Sequence, residues 1–232
     1  MSAPDYGHAF ALWRDQAPNW QAYTRHGFVE GLRRGDLPRA HFLHYLRQDY
    51  IFLIHFARAW ALAAAKGETL AEIQAASATV QALAHVEMPL HVQICAQAGI
   101  DAATLEATEE APANLAYTRY VLESGYSGDF LDLMAALAPC VLGYGEIGAR
   151  LKGSGGPYAD WIDTYAGDDY QGLCRDVGAL IDGALMHRLG PDWTRLPRAE
   201  HLAARFATAT RLEVRFWQMG LDGPTDRASA GP

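Results

Sequence analysis

The sequence predicts an all-α, single-domain helical bundle, and three observations carry that prediction. Apolar residues recur at helical spacing along most of the chain. The alternating β-branched pattern that would mark strands is almost absent. A length of 232 residues, 50% hydrophobic and only 20% charged, is enough to bury one large core.

The elements follow in order. Residues 5–16 and 18–34 are predicted as an opening pair of helices, separated at Pro18 and closed by Gly35-Asp36. Pro38 opens the next helix, because a first-turn residue has no use for the N–H that proline lacks, and the pattern runs to about Lys66. Thr69-Leu-Ala-Glu72 is a capping-box pattern that starts a helix continuing to about Ala98, followed by a short loop with Gly99. Helices over 109–124, 129–152, 168–188 and 195–219 complete a set of roughly seven main helices. The breakers between them are Gly125, the run Gly153 to Pro157, and Gly190-Pro191. One domain is expected over residues 1–221, with 222–232 a frayed tail rich in Gly, Pro, Asp and Ser.

Composition excludes several function classes. A net charge of −8 with no Lys/Arg cluster argues against nucleic acid as a partner. No run reaches the ~18 uninterrupted apolar residues of a membrane span, and the N-terminus shows no basic segment followed by an apolar run, so a cytoplasmic protein is expected. The three cysteines, Cys95, Cys140 and Cys174, are far apart and lack CxxC spacing, which argues for reduced thiols and against a disulfide framework or a zinc site.

The 129–152 helix departs most from an ordinary core helix. Pro139 sits in its interior, Cys140 follows at once, and Tyr144 lies one turn further on the same face. Gly143, Gly145 and Gly148 remove bulk, so that a neighbouring backbone or a ligand can approach. Such a helix is either a packed core element or the floor of a small-molecule pocket.

Two carboxylates stand inside apolar stripes. Asp49 lies on the face of Phe42, Tyr45, Leu46, Phe52, Leu53, Phe56 and Trp60, and Glu213 on that of Leu202, Phe206, Ala209, Phe216 and Trp217. Burying a carboxylate without a partner costs several kcal/mol or forces protonation. Each has two readings: a structural partner of an arginine such as Arg58 or Arg211, or a cap on a kinked backbone; and a group that works on a ligand. In the second case, replacing either by its amide removes activity with stability unchanged or slightly raised. Tyr117, Tyr120, Tyr126, Tyr144 and Tyr165 add hydroxyls beside these faces, suited to a flat, nitrogen-rich ring.

Metal and cofactor are not expected. His41, His44, His55, His85 and His91 lie on the second and third long helices, and Glu87 with His91 forms an i, i+4 pair. The Glu-x-x-His set of di-iron bundles is not present, and no histidine lies beside Glu213, so His85, Glu87 and His91 are read as supporting or packing residues.

Four segments, in order and at consistent separations, now carry a resemblance: Phe42 to Arg58 around Asp49, Ala138 to Gly148 around Pro139-Cys140, Tyr158 to Gly167, and Glu213 to Met219. Together they resemble the TenA/thiaminase II family, over about residues 8–221. The resemblance implies a haem-oxygenase-like helical fold, a homotetramer, and hydrolysis of aminopyrimidines in thiamine salvage, releasing 4-amino-5-hydroxymethyl-2-methylpyrimidine. Its substrates would be thiamine, the aminomethylpyrimidine breakdown product or a related amine. Pro139-Cys140 looks like the cysteine-containing thiaminase II subgroup. By the same resemblance Cys140 is the nucleophile that adds to the pyrimidine ring, and Glu213 is the acid/base group at the ring amine and leaving group. Asp49 holds a ring nitrogen. Tyr117, Tyr144, Tyr165 and Phe52 line the pocket, and Phe216 stacks on the substrate. The family often has Tyr where this chain has Phe52. Other roles on the same fold are a haem protein, for which His8 or His26 would be the axial ligand, a di-iron oxidase, or a non-enzymatic regulator.

Overall fold

The computed structural model describes residues 3–224, and among them every regular element is helical. The all-α prediction holds. The chain opens with α1 (His8–Gln16), α2 (Trp20–Thr24) and α3 (Gly27–Arg34), so the single helix expected over 18–34 is two. The break has a local cause: His26 takes an extended ψ of 152° and its Nδ1 accepts the Phe28 N–H at 3.2 Å, capping α3.

The long helix α4 (Arg39–Lys66) packs against α5 (Leu70–Ala82) and α8 (Pro112–Ser127). The capping box at the start of α5 is present, with Glu72 N–H donating to Thr69 Oγ1 at 3.2 Å and Glu72 Oε2 accepting the Thr69 N–H at 3.3 Å. A π-helical turn, Leu83–Glu87, leads from α5 directly into α6 (Met88–Gln97). A short α7 (Ala102–Glu106) was not legible in the sequence, although Asp101 caps it with a 2.8 Å bond from the Thr104 N–H. Gly125 does not break α8 as expected. Its missing side chain admits Leu62 of α4, whose methyl carbon would stand 2.6 Å from a Cβ there, so this glycine serves helix packing.

The apolar stretch near 129–152 is α9 (Phe130–Ala138), a second π-helical turn (Pro139–Gly143) and α10 (Tyr144–Leu151). This helix is long and apolar enough to cross a membrane by composition, yet 94% of its apolar window is buried inside the protein. A 3₁₀ turn (Gly156–Tyr158), α11 (Ala159–Ala166) and α12 (Asp168–Leu189) follow; α11 lies between the helices expected over 129–152 and 168–188, where none was expected. After a 3₁₀ turn at Trp193–Arg195, α13 (Pro197–Asp222) runs through the core against α9, α8, α4, α2 and α3. It continues through Gly220 to Asp222, beyond the helix end expected at 219; residues 225–232 of the expected tail lie outside the described residues.

Two buried ion-pair nodes lock this frame. Arg188 of α12 grips Glu72 at the start of α5, and Arg198 and Arg205 of α13 converge on Asp132 of α9. Burial opposes ionisation of Asp132, but its two arginines prevail, and both carboxyls are held down at about 2. The four helices so tied are those that carry or flank the candidate site.

Candidate active site

The second π turn sets the site's position. Pro139 has helical dihedrals, φ −58° and ψ −41°, so the helix is not broken there; the ladder widens by one residue to accommodate the missing N–H. The widened turn frees carbonyls for side chains: the Tyr23 hydroxyl donates to Pro139 O at 3.0 Å, and the Tyr170 hydroxyl to Val141 O at 3.3 Å. Gly143 is required by this arrangement, since a Cβ there would lie 2.7 Å from the Tyr23 hydroxyl and closer still to its ring. Cys140 is thereby presented between α4, α8 and α13.

The eight residues to which the resemblance gave roles lie around that turn. Glu213, 1% exposed, accepts the Tyr117 hydroxyl on Oε1 at 2.9 Å. Burial pushes its carboxyl up to about 8, with the negative charge of Asp49 adding to that and the hydroxyls of Tyr117 and Tyr23 holding it back. At neutral pH Glu213 therefore carries a proton. Burial also drives the Cys140 thiol well above its ordinary range, reinforced by Glu213, Asp49 and Glu87, so the resting sulfur is a thiol and would have to lose a proton to act as a nucleophile. Phe52 packs against Tyr117 at 5.0 Å and Phe216 at 5.5 Å between ring centres. Tyr144 and Tyr165 meet at 5.1 Å, with Trp161 and Trp217 behind them.

Asp49 has a partner, and it is not an arginine. Arg58 and Arg211 are both exposed. Instead His91 Nε2 lies 2.7 Å from Asp49 Oδ2, and the same oxygen accepts the Tyr45 hydroxyl at 3.1 Å. The other ring nitrogen, Nδ1, lies 3.0 Å from the Glu87 carbonyl oxygen. Oxygens facing both ring nitrogens favour donation from each of them, the imidazolium form. Burial works against that charge, but the Asp49 hydrogen bond and the charges of Asp49 and Glu87 raise the ring to about 8. Asp49 Oδ1 has no hydrogen-bond partner among the described residues.

Glu87 completes the cluster. It leaves the first π turn with Oε1 accepting the Tyr165 hydroxyl at 3.3 Å. Burial raises its carboxyl to about 7, His91 opposing and Asp49 assisting the rise. The side chain also lines a cavity of about 520 Å³ with Tyr165, Tyr170, Val141, Phe56 and Leu173. Asp163, Asp168 and Asp169 stand on the same lining.

Residues 13–223 match the model of the TENA/THI-4/PQQC family. The chain belongs to this family. A crystallised protein of Silicibacter sp. TM1040, described as a TenA family transcription regulator, superposes with a TM-score of 0.92 at 61% identity, over 93% of this chain and 97% of that one. The aminopyrimidine aminohydrolase of Halalkalibacterium halodurans is 36% identical over 216 residues, 91% of this chain and 94% of the relative. That of Bacillus subtilis is 30% identical over 203 residues, 86% of this chain and 84% of the relative.

Within this TenA-family site, sequence reasoning missed three contributors. Tyr23 belongs to the opening helices and reaches the site only through tertiary packing. Glu87 and His91 were noticed as an i, i+4 pair but assigned to support; the structure places His91 against Asp49 and Glu87 against Tyr165. The signal that could have promoted them was that His91 is buried, at 2% exposure, on the helix facing Asp49. Tyr126, by contrast, is 74% exposed and takes no part.

Proposed function

We propose that this chain is an aminopyrimidine hydrolase of the thiaminase II type that cleaves a C–N bond and releases 4-amino-5-hydroxymethyl-2-methylpyrimidine in thiamine salvage. The observation that carries this reading is the convergence of a thiol, Cys140, with Glu213 and Asp49 inside one wall of aromatic rings. Curated aminopyrimidine aminohydrolases among its relatives support it.

The roles follow from the geometry. Asp49 Oδ1 is open to a ring nitrogen or amine, while Oδ2 is fixed by His91 and Tyr45. A carboxylate placed there favours the protonated, more electrophilic pyrimidine. Tyr117 orients Glu213, which exchanges protons with the ring amine as Cys140 adds to the ring. Phe216 and Phe52 supply flat apolar faces, and Tyr144 and Tyr165 close the opposite wall. Phe52 in place of a tyrosine leaves that corner apolar. Action in the cytoplasm as a homotetramer is proposed on family grounds, and light scattering on the purified protein checks the assembly.

The test is a turnover assay with thiamine and with the aminomethylpyrimidine, following pyrimidine alcohol. Release from at least one of them, lost in Cys140→Ser, is expected. No release from either would refute the hydrolase assignment.

A further inference from the structure

Glu213 and Glu87 both bear electrostatically on Cys140, and they differ in their surroundings. Glu213 is enclosed by Tyr117 and Tyr23 and does not border the open cavity; Glu87 does, and Val141, the residue after Cys140, lines the same space. The hydrolase reading puts the pyrimidine beside Cys140 among Phe52, Tyr117, Phe216 and Tyr144, and the cavity bordered by Val141 and Glu87 offers room for its exocyclic substituent. Glu87 Oε1 is held by Tyr165, and Oε2 has no hydrogen-bond partner among the described residues.

We infer that Glu87 is a further catalytic residue, the acid that holds the departing amine and gives it a proton, and that the site is thereby suited to amine leaving groups. The inference rests on the hydrolase reading above and divides its proton work: Glu213 serves the ring, Glu87 the leaving group. Once Cys140 sulfur is bonded to the ring, the C–N bond to the exocyclic methylene breaks. Its electron pair goes to nitrogen, which takes the Glu87 proton and leaves as ammonia. The ring's electrons form an exocyclic double bond. Water then adds at the methylene carbon and returns a proton to Glu87, and the C–S bond opens to restore Cys140. The sum is amine plus water giving alcohol plus ammonia. A carboxyl near 7, as burial makes Glu87, is suited to giving and retaking that proton at neutral pH.

The chemistry provides its own control. Thiamine loses a thiazole that departs neutral and needs no proton, as does a pyridinium carried on the same methylene, whereas an amine cannot leave without one. For Glu87→Gln, the ratio of kcat/KM for the aminomethylpyrimidine to kcat/KM for thiamine or the pyridinium analogue is expected to fall about a hundredfold, the ordinary worth of general acid catalysis. A ratio within about threefold of wild type, whatever the absolute rates, overturns the inference while leaving the hydrolase reading intact. Wild-type protein that cleaves none of these compounds overturns the hydrolase reading itself. Wild type that cleaves thiamine but not the amine overturns only the inference. Should Glu87→Gln not fold, Glu87→Asp draws the acid back by one methylene; the ratio should fall there too, and an unchanged ratio counts against the inference.

Discussion

Replacing Glu213 by glutamine removes an ionisable group whose folded and unfolded states hold their protons differently. In the folded protein the carboxyl titrates at about 8, against an ordinary 4.5. Between those values the unfolded chain releases the proton and the folded chain keeps it, so wild-type stability falls as pH rises, by ~1.4 kcal/mol per pH unit from this group. The contribution is fully present below 4.5, and its loss is complete once pH passes about 8. Glutamine has nearly the shape of the neutral acid and can still accept the Tyr117 hydroxyl, yet it has no ionised state for the unfolded chain to gain. Glu213→Gln is therefore expected to match wild type near pH 4 and to exceed it by on the order of 3 kcal/mol at pH 7. For a chain of this size that is roughly 5–10 °C in Tm. Thermal melts of both proteins at pH 5, 6, 7 and 8, with turnover measured alongside, provide the assay. Tm curves that run parallel across this range would refute the assignment of a buried, protonated Glu213. So would a variant that is less stable at every pH, since that marks Glu213 as one half of an ion pair.

Other expectations are more compact. Asp49→Asn breaks the buried pair with His91 and should cost ~3 kcal/mol, most strongly below pH 6.5, shrinking as pH rises through the His91 value of about 8; a stability difference that does not change with pH would show His91 to be neutral. Cys140→Ser should fold with wild-type stability and lose turnover by orders of magnitude, and near-normal product release would remove the nucleophile. Gly143→Ala should push Tyr23 off Pro139 O and cost ~1–3 kcal/mol together with activity; an unaltered melt and rate would mean the widened turn can yield.

The sequence made the helices readable by their period, and two of the carboxylates by a breach of it: a polar residue inside an apolar stripe is visible at a single position. Asp49 and Glu213 were found this way, and Cys140 by the proline that precedes it in an apolar helix. What it could not supply was which of several polar residues each would meet. Asp49 and Glu213 look alike in the sequence and were expected to respond alike to amide substitution, yet one meets His91 and stays paired, while the other meets only hydroxyls and keeps its proton. The boundaries that failed, at His26, Gly125 and Ala102, depend on a side-chain cap or on a neighbouring helix. Neither leaves a periodic trace. The π turns are similar: Pro139 announced an interruption, but whether the helix would kink, stop or widen depended on Tyr23 and Tyr170 being there to take the freed carbonyls.

The charge state of the cluster follows from these differences and bears on how the reaction can begin. At neutral pH the resting site holds one ion pair, Asp49 with His91, a protonated Glu213, a thiol at Cys140, and Glu87 near its midpoint. The cluster's total charge is therefore between zero and minus one, which is how so many titratable groups can share a nearly dry core. It also means the site contains no thiolate and no strong base in advance. A neutral ligand would find no driving force to create them. A cationic one, such as a protonated aminopyrimidine or a thiazolium, brings positive charge into a pocket whose carboxyls can release protons to meet it, and the same charge lowers the cost of a thiolate at Cys140. Cys140 is then activated by substrate binding and not before. That order predicts that the free enzyme resists thiol alkylation at neutral pH, and that an unreactive cationic pyrimidine accelerates labelling of Cys140 wherever it leaves the sulfur accessible.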